Sequence, residues 1–355
     1  MEPLRIGIVG CGTIAPTHGN VLHRLEQEGL ARLVAVTDVV PSRAEAFSHK
    51  YGGEIAPSFE AMLARPDIDS VTLCTPSGMH GAMAVQAAEA GKHVLSEKPL
   101  DVRVEQIDKA IEATRKAGVV YGGIFNTRFA PAAQKIKRAI ESGALGDVVL
   151  ACAETKWYRS QTYYNSGDWR GTWALDAGVF CNQGIHGLDK LIWLAGDVEE
   201  VISATLAPGF HRDVEAETLG VVTVRFKSGA LGTITMTTLS YDGFPERVDI
   251  SGTKGSAILL NGDTLTHFTT QEPFEESAPQ PPIMEESPDD VAAAGAAIAK
   301  DPAALHVQGH YSNIRDFVVA ALEKREPIIS GREGRRAVNL LNMIYRKAGV
   351  GSFGA

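Results

Sequence analysis

Two stretches, far apart in the chain, carry residue types that could move a proton. The first is Glu97-Lys98-Pro99, which follows the apolar run His93-Val94-Leu95-Ser96. A lysine just past a buried strand can be held partly out of water, and desolvation lowers an ammonium pKa. Such an amine can accept a hydroxyl proton or stabilise a developing alkoxide. Pro99 restricts Lys98 to extended backbone and permits a cis peptide bond between them. The plainer reading is an ion pair between Glu97 and another surface segment. The second stretch is Asn182-Gln183-Gly184-Ile185-His186-Gly187-Leu188-Asp189, inside a helical pattern over 179–194. In a helix, Asn182, His186 and Asp189 share one face, and either neighbour can fix the imidazole tautomer. A lone histidine at such a place is otherwise a structural one.

A third stretch could bind rather than react. Three of the chain's four tryptophans fall between Trp157 and Trp173, interleaved with Tyr158, Arg159, Tyr163, Tyr164, Asp168 and Arg170. Aromatics with arginine in a glycine-containing loop suit stacking on a flat ring and hydrogen bonding to a polyol or pyrophosphate. A packed interface between subunits would use the same residues.

These groups need elements to hold them. Leu4–Val9 reads as a short buried strand, followed by Gly10-Cys11-Gly12-Thr13-Ile14-Ala15 and a helical pattern to about Gln27. Strand, glycine turn and helix in that order begin a dinucleotide-binding βαβ unit. Gly10 allows the tight turn, Gly12 lets backbone approach a pyrophosphate, and Ala15 lets the helix lie close to the strand. Thr13 and Ile14 open the helix whose free N–H groups face the phosphates. A second strand, Arg32–Thr37, ends at Asp38, where a carboxylate can accept both hydroxyls of an adenosine ribose. Capping of the next helix is the alternative use of Asp38. That carboxylate repels a 2′-phosphate, so NAD is expected over NADP, with Arg43 one turn on softening the preference.

Composition narrows the class. The chain has 355 residues, enough for two cores, with 44% hydrophobic and 22% charged residues. The net charge of −9 and the lack of a Lys/Arg-rich run argue against a nucleic-acid partner. The four cysteines (Cys11, Cys74, Cys152, Cys181) are widely spaced, which suits a reducing cytoplasm and disfavours disulfides or a metal site. The N-terminus runs straight into a strand without a signal segment, and no apolar run approaches the ~20 residues of a membrane helix. A cytoplasmic protein with neither a membrane nor a metal is therefore expected.

Further strands at 70–75, 93–96 and 119–125 alternate with helices at 41–51, 80–90 and 104–117. The pattern predicts a doubly wound parallel sheet over residues 1–125. Ligands bind beyond the carboxyl ends of such strands, where Gly10, Asp38, Thr75, Glu97, Lys98 and Asn126 all fall. Residues 126–355 read as a second α/β domain with a large, mostly antiparallel open sheet, from strands at 148–158, 200–206, 218–226, 232–239, 247–251 and 256–260. Residues 271–290, rich in Pro and Glu, are expected to be a solvated excursion, and 309–323 and 335–348 closing helices.

Taken together the chain resembles the Gfo/Idh/MocA oxidoreductases, the family of glucose–fructose oxidoreductase and inositol dehydrogenase. The matching pieces are Gly10-x-Gly12-x-x-Ala15; Thr75-Pro76 with His80; Ala90-Gly91-Lys92-His93-Val94 leading to Glu97-Lys98-Pro99; Arg128-Phe129-x-Pro131; Gly143-x-x-Gly146; Trp169-Arg170-Gly171; Asp176-x-Gly178; Gly184-Ile185-His186-x-x-Asp189; and Ser330 to Ala337. The resemblance implies a Rossmann domain followed by an α/β domain whose open sheet makes homo-oligomer contacts, as a dimer or tetramer. It implies that Lys98 and His186 work at the substrate carbon with Asn182 orienting, and that Thr75, Pro76, His80, Trp169 and Arg170 reach the cofactor. Many relatives, inositol dehydrogenases included, carry Asp where this chain has Asn182. Asn182 supplies no charge to bias His186, and the Asn182, Trp157 and Trp169 segments look closer to relatives that oxidise sugar-nucleotide uronates. The expectation is an NAD-dependent dehydrogenase of a secondary alcohol on a sugar, cyclitol or sugar derivative, bound by Lys98, Arg159, Asn182 and His186, with Lys98 and His186 both open as the base. A sugar-nucleotide uronate dehydrogenase, and a non-catalytic NAD-binding regulator, are the alternatives.

Overall fold

The computed structural model describes residues 2–209, 211–275 and 307–350. The described residues form two compact units, one of residues up to Phe125 with His310–Arg335, the other of the described residues in 126–309 and from Arg336 onward.

The first unit is built on six parallel strands: β1 (Leu4–Val9), β2 (Ala31–Thr37), β3 (Glu54–Ile55), β4 (Ser70–Leu73), β5 (His93–Ser96) and β6 (Tyr121–Gly123). Their spatial order is β3-β2-β1-β4-β5-β6. The order reverses between β1 and β4, which leaves a crevice at their carboxyl ends. Helices α1 (Ala15–Gln27), α2 (Pro41–Tyr51), α3 (Phe59–Leu63), α4 (His80–Glu89) and α5 (Val104–Ala117) connect the strands. The central strands bury consecutive residues on both faces, most of them apolar: Ile6, Ile8, Val71, Leu73, Val94 and Leu95 are all buried. Ser58 caps α3 by accepting the Ala61 N–H, and Gly118 stops α5 in the left-handed region.

One departure from the sequence reading is topological. Residues 310–335, expected in the second domain, belong to the first unit. Asn313 accepts the Phe125 N–H at 2.9 Å and donates to the Gly123 carbonyl at 3.1 Å, and Gly123 N–H bonds Ile329 O at 2.9 Å. The returning chain thus supplies partners to the backbone of Gly123 and Phe125, polar groups that an edge strand otherwise leaves to water.

The second unit has a seven-stranded sheet: β7 (Val148–Lys156), β8 (Val198–Ala207), β9 (Leu219–Phe226), β10 (Leu231–Thr237), β11 (Arg247–Gly252), β12 (Gly255–Leu260) and β13 (Thr264–Thr270). The order is β13-β12-β11-β7-β10-β9-β8, with β7 and β10 parallel and every other neighbouring pair antiparallel. Strand β13 and the two-residue β3 are additional to the sequence reading. Helices α6 (Pro131–Glu141) and α8 (Ile185–Ala195) pack on the sheet, and α7 (Gln161–Tyr164) is a single turn. Burial alternates along β9 and β10, so one face is core and the other exposed. Helices α9 (Val307–Glu323) and α10 (Gly331–Ala348) close the described chain. The sequence expectation for 276–290 lies outside the described residues. Among the described residues no helix is long and apolar enough to cross a membrane.

The helix expected over 179–194 begins only at Ile185. Val179 N–H bonds the Glu217 backbone carbonyl at 2.8 Å and Phe180 N–H bonds the Glu217 side-chain carboxyl at 3.0 Å. These amides tie 179–180 to a residue shortly before β9, so the preceding turns cannot join the helical ladder. Asn182 therefore lies before α8 rather than on its face, while His186 is its second residue.

Candidate functional site

In the first unit, the glycine turn lies between β1 and α1. Gly10 has φ +91°, and a Cβ there would meet the Cys74 carbonyl oxygen at 2.7 Å, so glycine is required by both conformation and space. At Gly12 a Cβ would meet nothing within 4 Å, so the protein's own packing does not call for glycine there. Thr13 is exposed, and Ile14, the residue before α1, provides no side-chain cap, leaving the first N–H groups of α1 without that partner. Asp38, half-buried at the end of β2, accepts the Cys11 N–H through one carboxylate oxygen and the Val40 N–H through the other, both at 2.7 Å. Its carboxylate is thus oriented by the turn itself. An open glycine turn, an uncapped helix start and an oriented carboxylate fit a dinucleotide. Arg43 is exposed on the first turn of α2.

The loops after β4 and β5 are cross-tied. Thr75 and Pro76 follow β4 and are half-buried; His80, fully buried, has Nε2 2.8 Å from the Thr75 carbonyl and Nδ1 2.8 Å from that of Pro99. Its ring nitrogens thus meet backbone oxygens, and burial pulls its pKa down. Glu97 is buried and Lys98 half-buried, with a cis Lys98–Pro99 bond. Glu97 is not a surface ion-pair partner: its carboxylate meets His18 at 2.8 Å in the interior. Burial raises its pKa, but the His18 hydrogen bond and the His18, His310 and Lys98 charges bring it down to about 2.

In the second unit, the aromatic stretch converges on Tyr163. Its hydroxyl oxygen accepts Arg170 Nη1 at 2.7 Å, Gln183 Nε2 at 3.1 Å and Asn182 Nδ2 at 3.4 Å. Burial, then the nearby Asp176 carboxylate, raises the phenol pKa against the pull of Arg170, Arg159 and Gln183. The Arg170 guanidinium lies 4.2 Å from the Tyr163 ring centre and 4.4 Å from that of Trp169; Arg159 lies 5.1 Å from Trp157 and 5.6 Å from Tyr163. Asp176 accepts Asn182 Nδ2 at 2.5 Å and the Gly171 N–H at 2.7 Å. Arg159, Arg170 and Asn182 are therefore brought together around one phenol, with half-buried His186 four residues beyond Asn182. Asn126 is buried at the start of the 3₁₀ turn Asn126–Phe129. The hub role of Tyr163 had no signature in sequence, where it is one tyrosine among several.

A further group escaped the sequence reading. Glu217 is fully buried behind Gly178, where a Cβ would lie 1.9 Å from its Oε2. Its Oε1 accepts Phe180 N–H and the Tyr345 hydroxyl, each at 3.0 Å, and burial pushes its pKa up to about 8. The glycine of Asp176-x-Gly178 is thus a packing requirement for this carboxyl.

The chain matches the GFO_IDH_MocA model, an oxidoreductase family with an NAD-binding Rossmann fold, over residues 4–125, and the GFO/IDH/MocA C-terminal domain over 133–258. It is 30% identical over 276 residues to a myo-inositol 2-dehydrogenase of Thermotoga maritima, covering 76% of this chain and 79% of that one. The solved structure of the WlbA dehydrogenase of Bordetella pertussis, a complex with NADH and UDP-GlcNAcA, superposes with a TM-score of 0.85 at 32% identity over 99% of this chain and 97% of the other. WlbA of Chromobacterium violaceum, also with NADH and UDP-GlcNAcA, gives 0.84 at 30% identity over 98% and 94%. With both domains matched in sequence and fold, the chain belongs to the GFO/IDH/MocA family of NAD-binding oxidoreductases.

Proposed function

We propose that this protein is a dehydrogenase that oxidises a secondary alcohol of a sugar, cyclitol or sugar derivative, with Lys98 and His186 as the acid/base groups and NAD as cofactor. The observation that carries the reading is the strand order of the first unit. Gly10, Thr75 and Lys98 follow the adjacent strands β1, β4 and β5, at one end of one parallel sheet. A lysine held there is beside the place where such sheets bind nucleotides. Gly10, Gly12, Thr13, Ile14, Asp38, Thr75 and Pro76 would hold the dinucleotide, with Trp169 and Arg170 reaching it and His80 bracing the loops. NAD supplies the hydride acceptor when bound. Lys98 then accepts the hydroxyl proton or stabilises the forming oxyanion, His186 serves as the second proton carrier, and Asn182 orients the substrate through its amide.

A second reading is favoured by one observation. Arg159 and Arg170 both lie on the Tyr163 ring, and the nearby Asp176 carboxylate is already bonded to Asn182 and the Gly171 amide. Two guanidinium groups stacked on aromatics suit an anionic substrate, so a sugar-nucleotide uronate is the runner-up. The WlbA structures with UDP-GlcNAcA support it. The deciding experiment follows reduction of NAD and NADP over inositols, neutral sugars, sugar acids and sugar nucleotides. Turnover of a polyol or sugar supports the first reading and selective turnover of a nucleotide uronate the second. Tight NAD binding with no turnover throughout would overturn both and favour a regulator.

We further propose a cytoplasmic homo-oligomer, dimer or tetramer, joined through the exposed face of the second unit's sheet. Leu150, Leu219, Val221 and Leu231 are exposed there, on one face by register. Light scattering of the wild type and of Val221→Asp tests it: a monomeric wild type sinks the proposal.

A further inference from the structure

The Glu97 carboxylate has an environment that its place next to a surface loop does not require. Glu97 is 5% exposed, His18 1% and His310 5%. His18 Nε2 lies 2.8 Å from Glu97 Oε1 and His310 Nε2 lies 3.8 Å from the same oxygen. The other oxygen accepts the backbone N–H of Lys98 at 3.1 Å. Cys74, at the end of β4, acts on His18, and His80 on α4 is influenced by both Glu97 and Lys98. The titratable groups around this carboxylate are therefore His18 from α1, His310 from α9, His80 from α4 and Lys98 from its own loop, with Cys74, just after β4, acting on His18.

An ionised carboxylate out of water needs a cation. Lys98 is adjacent, and a carboxylate so placed holds a neighbouring amine in its charged form. A protonated lysine cannot accept a hydroxyl proton. A second cation hydrogen-bonded to the carboxylate removes that conflict.

We propose that His18, as an imidazolium hydrogen-bonded to Glu97, is a positioning residue for Lys98: it cancels the carboxylate charge beside the lysine and ties the lysine's loop to the helix that begins at the glycine turn. The proposal rests on Lys98 being a proton-moving group. The charge states agree with it. Burial pulls the His18 pKa down, but Cys74 and the Glu97 carboxylate bring it up to about 10. His18 therefore stays cationic and Glu97 anionic across the neutral range, a pair of zero net charge next to the amine.

The test reads Lys98 directly and needs no substrate. In the NAD-bound protein, the Lys98 amine is titrated by NMR of its labelled ε-carbon in wild type, His18→Asn and Glu97→Gln. Loss of the imidazolium leaves Glu97 without its hydrogen-bonded counter-charge, with only the more distant His310 facing it, so the Lys98 midpoint rises by roughly one pH unit. Loss of the carboxylate moves it down. Opposite shifts support the proposal, because a merely structural histidine produces no such pair. Unchanged midpoints, or shifts in the same direction, overturn it. Nitrogen-15 shifts of the His18 ring in the wild type serve where a variant fails to fold: a doubly protonated ring at pH 8 is expected, and a neutral one refutes the idea. Normal turnover of Lys98→Met would instead sink the reading of Lys98 itself, leaving the His18–Glu97 pair intact.

Discussion

Arg128 donates through Nε and Nη2 to the two carboxylate oxygens of Asp189, at 2.7 and 2.5 Å, with both side chains buried. Both oxygens of Asp189, which shares a helix face with His186, thus hold the Arg128 guanidinium. The pair joins the 3₁₀ turn Asn126–Phe129 to α8 within the second unit. Removing one partner strands a buried charge, so Asp189→Ala should cost about 3–5 kcal/mol, whereas replacing both residues with apolar ones of similar volume should cost much less. Urea denaturation of the single and double variants measures the difference. Equal losses in the two would show that packing, not charge, governs the site.

For Lys98, substitution by Ala should lower turnover at least ~10²-fold, the lower range for a general acid–base group, with NAD affinity nearly unchanged. Turnover on an accepted substrate and NAD titration by calorimetry separate the two effects. Near-normal turnover refutes the assignment.

Asp38 should decide the nucleotide. Asp38→Ser removes a charged acceptor for the ribose and the repulsion of a 2′-phosphate. A lost hydrogen bond of about 1.5–3 kcal/mol predicts NAD binding weaker by roughly 10- to 100-fold. NADP binding should improve relative to NAD. Dissociation constants for both nucleotides check this, and an unaltered ratio would remove Asp38 from the cofactor site.

Glu217 makes stability depend on pH. Its carboxyl is protonated in the folded chain up to about pH 8, whereas in the unfolded chain it ionises from about pH 4.5. The folded state therefore binds the extra proton between those values. That stabilisation is complete below pH 4.5 and is lost progressively as pH rises to about 8. Glu217→Gln cannot ionise in either state, so the variant should gain on the wild type by a few kcal/mol at pH 8 and not at pH 4. Thermal melts across this window test the sign; a parallel pH dependence for the two proteins would contradict it.

Much of this protein was written locally. The Gly10-x-Gly12 turn, Asp38 at a strand end and the alternation of strands with helices follow from short-range rules, because a tight turn needs glycine and a buried parallel strand needs apolar residues on both faces. Helix α2 at 41–51 was legible from its Pro start and Gly stop, and the end of helix α4 from Gly91. The adjacency of Glu97 and Lys98 was equally plain. What only the tertiary structure decided is the partner of each polar group. His18 and Glu97 are 79 residues apart, Arg128 and Asp189 61, and Tyr345 and Glu217 128. No periodicity reports such pairs, because a buried donor is satisfied by whichever acceptor packing brings within hydrogen-bond reach. The late start of α8 has the same origin: the Glu217 backbone carbonyl and side-chain carboxyl, distant in sequence, hold the amides of Val179 and Phe180.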